Sequence, residues 1–131
     1  MTDTDEWSFT VDEDGMLFAV APSGASENVR LAVETVLILF GDSVAAVEGY
    51  LREWRRMAEE FGDDYILATT SAQVRRVGPD EIELGDMYGQ FEDCSMSVRE
   101  FERMLGQLVD FLKSLHREGS SRRSITTRYT L

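Results

Sequence analysis

The chain has 131 residues, 43% of them hydrophobic and 29% charged, a composition ordinary for one folded domain. Its charge is not ordinary, because 25 acidic and 13 basic residues give a net charge of −12. A protein this acidic repels nucleic-acid phosphates and anionic membranes and associates faster with basic partners. We therefore expect neither nucleic acid nor a membrane as its partner.

The charge is unevenly distributed along the chain. All 25 acidic residues and ten of the 13 basic ones lie in residues 1–118, which carry −15, whereas three arginines give residues 119–131 a charge of +3. We predict one domain over 1–118 and a flexible basic tail over 119–131, although 125–131 has enough β character for an edge strand.

The single Cys94 excludes an internal disulfide. The first residues lack the features of a signal peptide, so we expect a cytoplasmic protein.

The first elements form a predicted β-hairpin. Trp7–Val11 alternates large apolar and small polar residues, as a half-buried strand does. The acidic turn Asp12–Gly15 follows, and Met16–Ala21 is the returning strand.

The segment Val29–Phe40 is ambiguous. It is rich in Val, Ile and Thr, both of its alternating faces are apolar, and Gly41 ends it, so a strand is favoured. Ser26 or Asn28 could instead cap a helix there.

Two amphipathic helices are predicted with less ambiguity. Asp42 or Ser43 caps the first, and Gly62 ends it. A capping box at Ser97–Glu100 begins the second, which Gly119 should end. Their apolar stripes are Val44, Val47, Leu51, Trp54, Ala58 and Phe61 in the first helix, and Phe101, Leu105, Leu108, Leu112 and Leu115 in the second.

Further strands are predicted between these helices, at Tyr65–Thr70, Ala72–Val77 and Glu81–Leu84. The order of elements predicts an α+β fold: a single domain with an antiparallel or mixed sheet packed against two main amphipathic helices.

No pattern of catalytic or metal-binding residues is present. His116 falls in the last turn of the final helix, where an imidazolium favours the helix dipole. Cys94 is more typical of a small buried hydrophobic residue than of a nucleophile. The run Asp12–Gly15 lacks the further acids of a calcium loop, and Asp63-Asp64 is typical of a solvated turn. We predict no enzyme activity, no metal and no cofactor.

The most informative stretch runs from Asp80 to Asp93. It holds six acidic residues and no basic one, and Met87, Tyr88 and Phe91 lie among them. In one interpretation the three apolar side chains enter the core and the acids are simply solvated. In the other, Tyr88 and Phe91 are partly exposed anchors surrounded by carboxylates, an arrangement suited to binding a basic protein.

A resemblance extends the second interpretation. The run Asp86–Ser97, followed by Phe101, Leu105, Leu108 and Phe111, resembles small immunity proteins of bacterial polymorphic-toxin and contact-dependent inhibition systems. Members of such families are compact cytoplasmic α+β proteins that cover the active site of a toxin, often a basic nuclease. The resemblance implies toxin contacts at Asp86, Tyr88, Phe91, Glu92 and Asp93, and the neighbouring acid Glu83 joins them as a candidate partner-binding residue.

The leading hypothesis is a non-enzymatic inhibitor of one basic protein, monomeric or weakly dimeric. The first alternative is an adaptor or scaffold that self-associates through the apolar faces of its helices. The second is a small enzyme using Cys94 or a pair of carboxylates.

Overall fold

The computed structural model describes residues 6–69 and 71–126, except for the side chains of Leu39 and of residues 117–126. These residues form a single α+β domain with three helices and two antiparallel sheets, which confirms the predicted fold class. The elements, in chain order, are β1 (Ser8–Val11), β2 (Leu17–Val20), α1 (Glu27–Leu37), α2 (Val44–Phe61), β3 (Tyr65–Ile66), β4 (Ala72–Gly78), β5 (Glu81–Asp86), β6 (Cys94–Met96) and α3 (Val98–Thr126).

The hairpin forms as predicted. Strands β1 and β2 pair antiparallel, with Ser8 opposite Val20. The Asp12 carboxylate closes the turn, because its Oδ1 accepts the N–H groups of Asp14 and Met16, both at 2.9 Å. Gly15 has a φ of +83°, which a residue with a Cβ adopts only with strain.

The strand favoured over 29–40 is wrong, because this segment is α1 followed by a 3-10 turn at Ile38–Phe40. Ser26 is the N-cap, and its Oγ accepts the Val29 N–H at 3.1 Å. The helix packs against β2 as well as against β4, β5 and β6. Its apolar residues recur at helical spacing, from Val29 through Ala32, Val33, Val36 and Leu37 to Phe40, so the sequence pattern fitted a helix as well as a strand.

Helix α2 forms where predicted. The Ser43 Oγ accepts the Ala46 N–H at 3.1 Å, and Gly62 ends the helix with a φ of +73° while its N–H donates to the Ala58 carbonyl at 2.9 Å. One residue of the predicted apolar stripe is misplaced. Phe61 lies in the last turn, beyond the packed part of the helix, and its side chain is 52% exposed.

The larger sheet has the order β3-β4-β5-β6 and is antiparallel throughout. Val74, Ile82 and Leu84 are fully buried on the face that α1 covers. Residues alternating with them, such as Arg75 and Glu83, are exposed, so the other face is open to solvent. Strand β6 was not predicted, because three residues are too few to show a period.

Helix α3 begins where predicted, but only the Ser97 half of the predicted capping box forms, and the helix does not end as predicted. The Ser97 Oγ accepts the Glu100 N–H at 2.9 Å, whereas the Glu100 Oε2 accepts the Trp7 indole N–H at 3.3 Å. The helix continues through Gly119 to Thr126, so the predicted stop at Gly119 is wrong. A glycine inside a helix costs only about 1 kcal/mol relative to alanine and does not by itself end the helix.

The predicted basic tail, residues 119–131, therefore begins within α3. Residues 125 and 126 of the alternative edge strand have helical backbone, and residues 127–131 lie outside the described part of the chain. None of the described helices is long and apolar enough to cross a membrane.

Candidate protein-binding site

The acidic loop (residues 86–93) leads from the end of β5 into β6, and the carboxylate of Asp86 organises it from within. Its Oδ1 accepts the Tyr88 N–H at 3.0 Å and its Oδ2 accepts the Phe91 N–H at 3.2 Å. Desolvation opposes the charged form, but the backbone N–H groups of residues 88–91 outweigh it and hold the pKa of Asp86 below its usual value. The Asp86 carboxylate therefore binds backbone N–H groups of its own loop, which leaves it less available to a partner.

Two further contacts fix the loop at its end. Asn28, in the first turn of α1, forms a reciprocal pair with the Glu92 backbone: its Nδ2 donates to the Glu92 carbonyl at 2.7 Å, and its Oδ1 accepts the Glu92 N–H at 2.8 Å. The Asp93 Oδ1 accepts the Asp86 N–H at 3.2 Å. Sequence reasoning considered Asn28 only as a helix cap, since nothing in the pattern links residues that lie 64 positions apart.

The apolar side chains of the loop divide between core and solvent. Phe91 is only 8% exposed and belongs to the hydrophobic core, so its expected role as an exposed anchor is wrong. Tyr88 is 71% exposed and Met87 43%. The contact of Phe91 with the core holds the loop against the domain, and Tyr88 lies on the solvent side of the loop. Entry into the core is therefore confirmed for Phe91 and wrong for Met87 and Tyr88, and a binding role for Tyr88 stays a prediction.

The remaining candidate residues are acids with different local roles. Glu83 is exposed on the open face of the sheet, between Arg75 on β4 and Ser95 on β6. Glu92 and Asp93 are also exposed. Among the described residues, the carboxylates of Glu83 and Glu92 form no hydrogen bond or ion pair, whereas those of Asp86 and Asp93 accept backbone N–H groups. Within the described chain, Glu92 therefore carries the carboxylate of the site with no cation opposite it, whereas Glu83 lies directly across from the exposed Arg75.

The role of Asp86 predicts a local effect of mutation. Asp86→Asn keeps one acceptor oxygen but turns an amide nitrogen toward a backbone donor, so the N–H groups of Tyr88 and Phe91 should exchange with solvent several-fold faster. The matched control Glu92→Gln removes the same charge and should leave these exchange rates unchanged. Amide hydrogen exchange followed by NMR measures both variants, and equal exchange in Asp86→Asn and wild type would contradict the assigned role.

The same contacts have a pH dependence. Because the pKa of Asp86 is depressed in the folded protein, its contribution is complete above the ordinary aspartate pKa and is lost as the pH falls through the folded value. The loop should thus remain ordered at pH 5 and loosen in stronger acid.

The chemistry considered for Cys94 and His116 gains no support from their surroundings. Burial, together with the Asp93 carboxylate, raises the pKa of the Cys94 thiol and disfavours the reactive thiolate. The His116 Nε2 lies 2.6 Å from the Asp42 carbonyl and joins α3 to the segment before α2. His116 was expected in the last turn of α3, but the helix continues well beyond it. Within the described residues, no group of three or more His, Cys, Asp or Glu side chains is arranged to hold a metal ion.

Comparisons with known proteins give this site no precedent: the chain matches no protein-family model, no curated protein and no solved structure.

Proposed function

We propose that the protein is a non-enzymatic, immunity-type inhibitor that binds one basic protein, such as a nuclease toxin domain, through the acidic loop and the adjoining Glu83. The observation that carries the proposal is Tyr88, a 71% exposed aromatic side chain on a loop fixed by hydrogen bonds and by the buried Phe91. Aromatic anchors of this kind supply much of the binding energy at protein interfaces.

Preorganisation of the loop supports the proposal. A loop that is ordered before binding loses little conformational entropy when its partner arrives. Asp86 and Asn28 order the backbone on both sides of Tyr88, through contacts that leave the tyrosine ring outside.

Charge supports the choice of a basic partner. The chain carries a net charge of −12, the exposed Glu92 lies on the same loop as Tyr88, and Glu83 lies on β5, the strand that leads into this loop. Such charges speed encounter and select partners more than they add affinity. The lysines and arginines by which a nuclease holds phosphates are a chemical match, and covering them would block its active site.

The helix faces on which the adaptor hypothesis rested are less available. Phe101, Leu105, Leu108 and Leu112 are fully buried, and the exposed side of α3 in the described residues is polar. We therefore keep the inhibitor as the single proposed function.

The test is affinity capture at low salt from lysate of the source cell, followed by kinetics with the recovered protein. Tyr88→Ala should weaken binding about 30-fold or more, as expected for a central aromatic anchor. The double variant Glu83→Gln/Glu92→Gln should slow association several-fold and flatten its salt dependence. Asp86 and Asp93 are left intact, because changing them would also disturb the loop.

Matched controls are available on α2 and just after it. Phe61→Ala removes another exposed aromatic side chain, and Glu59→Gln/Asp63→Asn removes the same charge from exposed positions. Neither control should change the kinetics. Capture of one basic protein that Tyr88→Ala releases would support the proposal. A partner that is indifferent to both loop variants would exclude the loop as the interface, and recovery of the protein alone would favour self-association.

A further inference from the structure

A groove of about 640 Å³ lies between α2 and α3, away from the acidic loop. Leu51 from α2 and Val109 from α3 form an apolar floor, and both are almost completely buried. Gly106 leaves additional room there, since a Cβ at this position would meet no atom within 4 Å outside its own helix. The volume lies within the range of about 300–1,000 Å³ that is usual for small-molecule sites.

Three arginines border this groove without an ionic partner. Arg52 and Arg55 lie one turn apart on α2, Arg103 lies on α3, and all three are exposed. None of them forms an ion pair within the described part of the chain. Other cations do find carboxylates: the pairs are Arg30 with Glu27 and Glu34, Arg56 with Glu53 and Glu60, Arg99 with Asp80, and Lys113 with Glu48.

The distribution of these unpaired arginines is unusual for the composition. The chain has almost twice as many acidic as basic residues, so carboxylates are in excess for pairing. The one other described arginine without an ion pair or hydrogen bond, Arg75, lies opposite Glu83 on the open face of the sheet. Three guanidinium groups without an ion pair therefore border a single groove on an otherwise acidic molecule.

The acidic residues that line the groove are fewer than its arginines. The Glu48 Oε2 lies 3.3 Å from the Lys113 Nζ and is engaged there. Asp110 is exposed and is the remaining carboxylate among the lining residues. Three guanidinium groups face one uncommitted carboxylate, and guanidinium forks match the geometry of carboxylate and phosphate oxygens.

We propose that this groove binds a small anion, one that carries a carboxylate or phosphate group on an apolar body. Arg52, Arg55 and Arg103 hold the anionic group, and the apolar body lies on Leu51 and Val109 in the space left by Gly106. This site is independent of the acidic loop and of the proposed inhibitor function.

The experiment is an NMR titration of the full chain at constant ionic strength with two probes, phenyl phosphate and phenylacetate. At least one should shift the Arg52, Arg55 and Arg103 side-chain signals and the Leu51 and Val109 amides saturably, with a dissociation constant on the order of 1 mM or tighter. The probe with the lower dissociation constant shows whether the groove prefers a phosphate or a carboxylate group. Inorganic phosphate and acetate, which lack the apolar body, should bind at least tenfold more weakly.

Two variants separate the parts of the site. Arg52→Gln/Arg55→Gln/Arg103→Gln should abolish saturation, whereas the single control Arg75→Gln should not change it. Gly106→Leu fills the groove without altering charge and should weaken both probes at least tenfold. It replaces a glycine inside a helix by a better helix former at an open position, so the protein should remain folded.

The proposal is overturned if neither probe saturates, if the triple arginine variant binds as well as wild type, or if Gly106→Leu leaves affinity unchanged. Equal binding of inorganic phosphate and phenyl phosphate would likewise overturn it, because the groove would then act only as a diffuse positive surface.

Discussion

Replacing Trp54 by alanine should destabilise the protein more than any other single substitution considered for this chain. Trp54 is completely buried and contacts three aromatic rings, with centroid distances of 4.8 Å to Tyr65, 5.1 Å to Phe101 and 6.2 Å to Tyr50. Its indole N–H donates to the Glu102 Oε2 at 2.8 Å. Truncation leaves a cavity among these rings, and we expect a loss of about 3–5 kcal/mol in the free energy of unfolding.

Such a loss is a large part of the roughly 5–15 kcal/mol that stabilises a small domain. Urea unfolding followed by circular dichroism measures it, as a lower midpoint with an unchanged slope. Trp54→Phe keeps an aromatic ring and should cost less, about 1–2 kcal/mol, since Glu102 is only partly buried and water can replace the indole. The surface control Glu59→Ala should stay within about 0.5 kcal/mol of wild type. A Trp54→Ala variant as stable as that control would contradict this view of the core.

The sequence predicted those elements whose signals are local. The hairpin turn at Asp12–Gly15, the cap at Asp42 or Ser43 and the Gly62 stop each depend on a few neighbouring residues; the turn and the stop are confirmed, and Ser43 is the cap. The spacing of Trp54 on α2 likewise identified it as a core residue, because one face of that helix packs and the other is solvated.

The errors arise where packing decides. The apolar residues of segment 29–40 stand at alternating positions and also at three- and four-residue steps, so the pattern fits both a strand and a helix, and the packing of α1 against β2 and the larger sheet decides. The possible cap at Ser26 or Asn28 also indicated a helix, and Ser26 is the cap that forms. At Gly119 the predicted helix stop followed residue type alone, whereas the backbone of α3 continues to Thr126.

The candidate site shows the same division. Charge and aromatic content directed attention to the acidic loop, but a loop has no period, so nothing in the sequence told buried Phe91 from exposed Tyr88. The contact between Asn28 and Glu92 depends on α1 being a helix and on its place against the sheet. The use of Asp86 as a backbone acceptor follows from loop geometry, which composition does not reveal.

The second large expected effect concerns the free edge of β2. At Ala19, two side chains of α1 take the place of a neighbouring strand: the Glu34 Oε2 accepts the Ala19 N–H at 2.9 Å, and the Arg30 Nη1 donates to the Ala19 carbonyl at 3.2 Å. Arg30 and Glu34 also pair with each other at 2.9 Å. Glu34→Ala should cost about 2 kcal/mol, because it leaves a backbone donor unpaired and removes one partner of a partly buried guanidinium.

Comparison of two ion pairs makes this prediction specific. Arg56 and Glu60 have the same helical spacing and an Nη1–Oε1 distance of 2.6 Å, but both are more than half exposed. Glu60→Ala should therefore change stability by less than about 0.5 kcal/mol in urea unfolding. Glu34→Gln keeps an acceptor for Ala19 and should fall between the two. If Glu34→Ala were as stable as Glu60→Ala, the edge of β2 would not need the α1 side chains as partners for its backbone groups.

The double variant separates edge closure from a simple ion pair. If Arg30 and Glu34 act together on Ala19, the cost of Arg30→Ala/Glu34→Ala should be less than the sum of the single costs. Loss of the pair also uncovers a strand whose outer face already exposes Met16, Phe18 and Val20. Unpaired strand edges with apolar faces associate with one another, so the double variant should aggregate at concentrations at which Glu60→Ala stays monomeric in light scattering. Aggregation of the double variant alone would show that these side chains of α1 keep the hairpin edge from pairing with other chains.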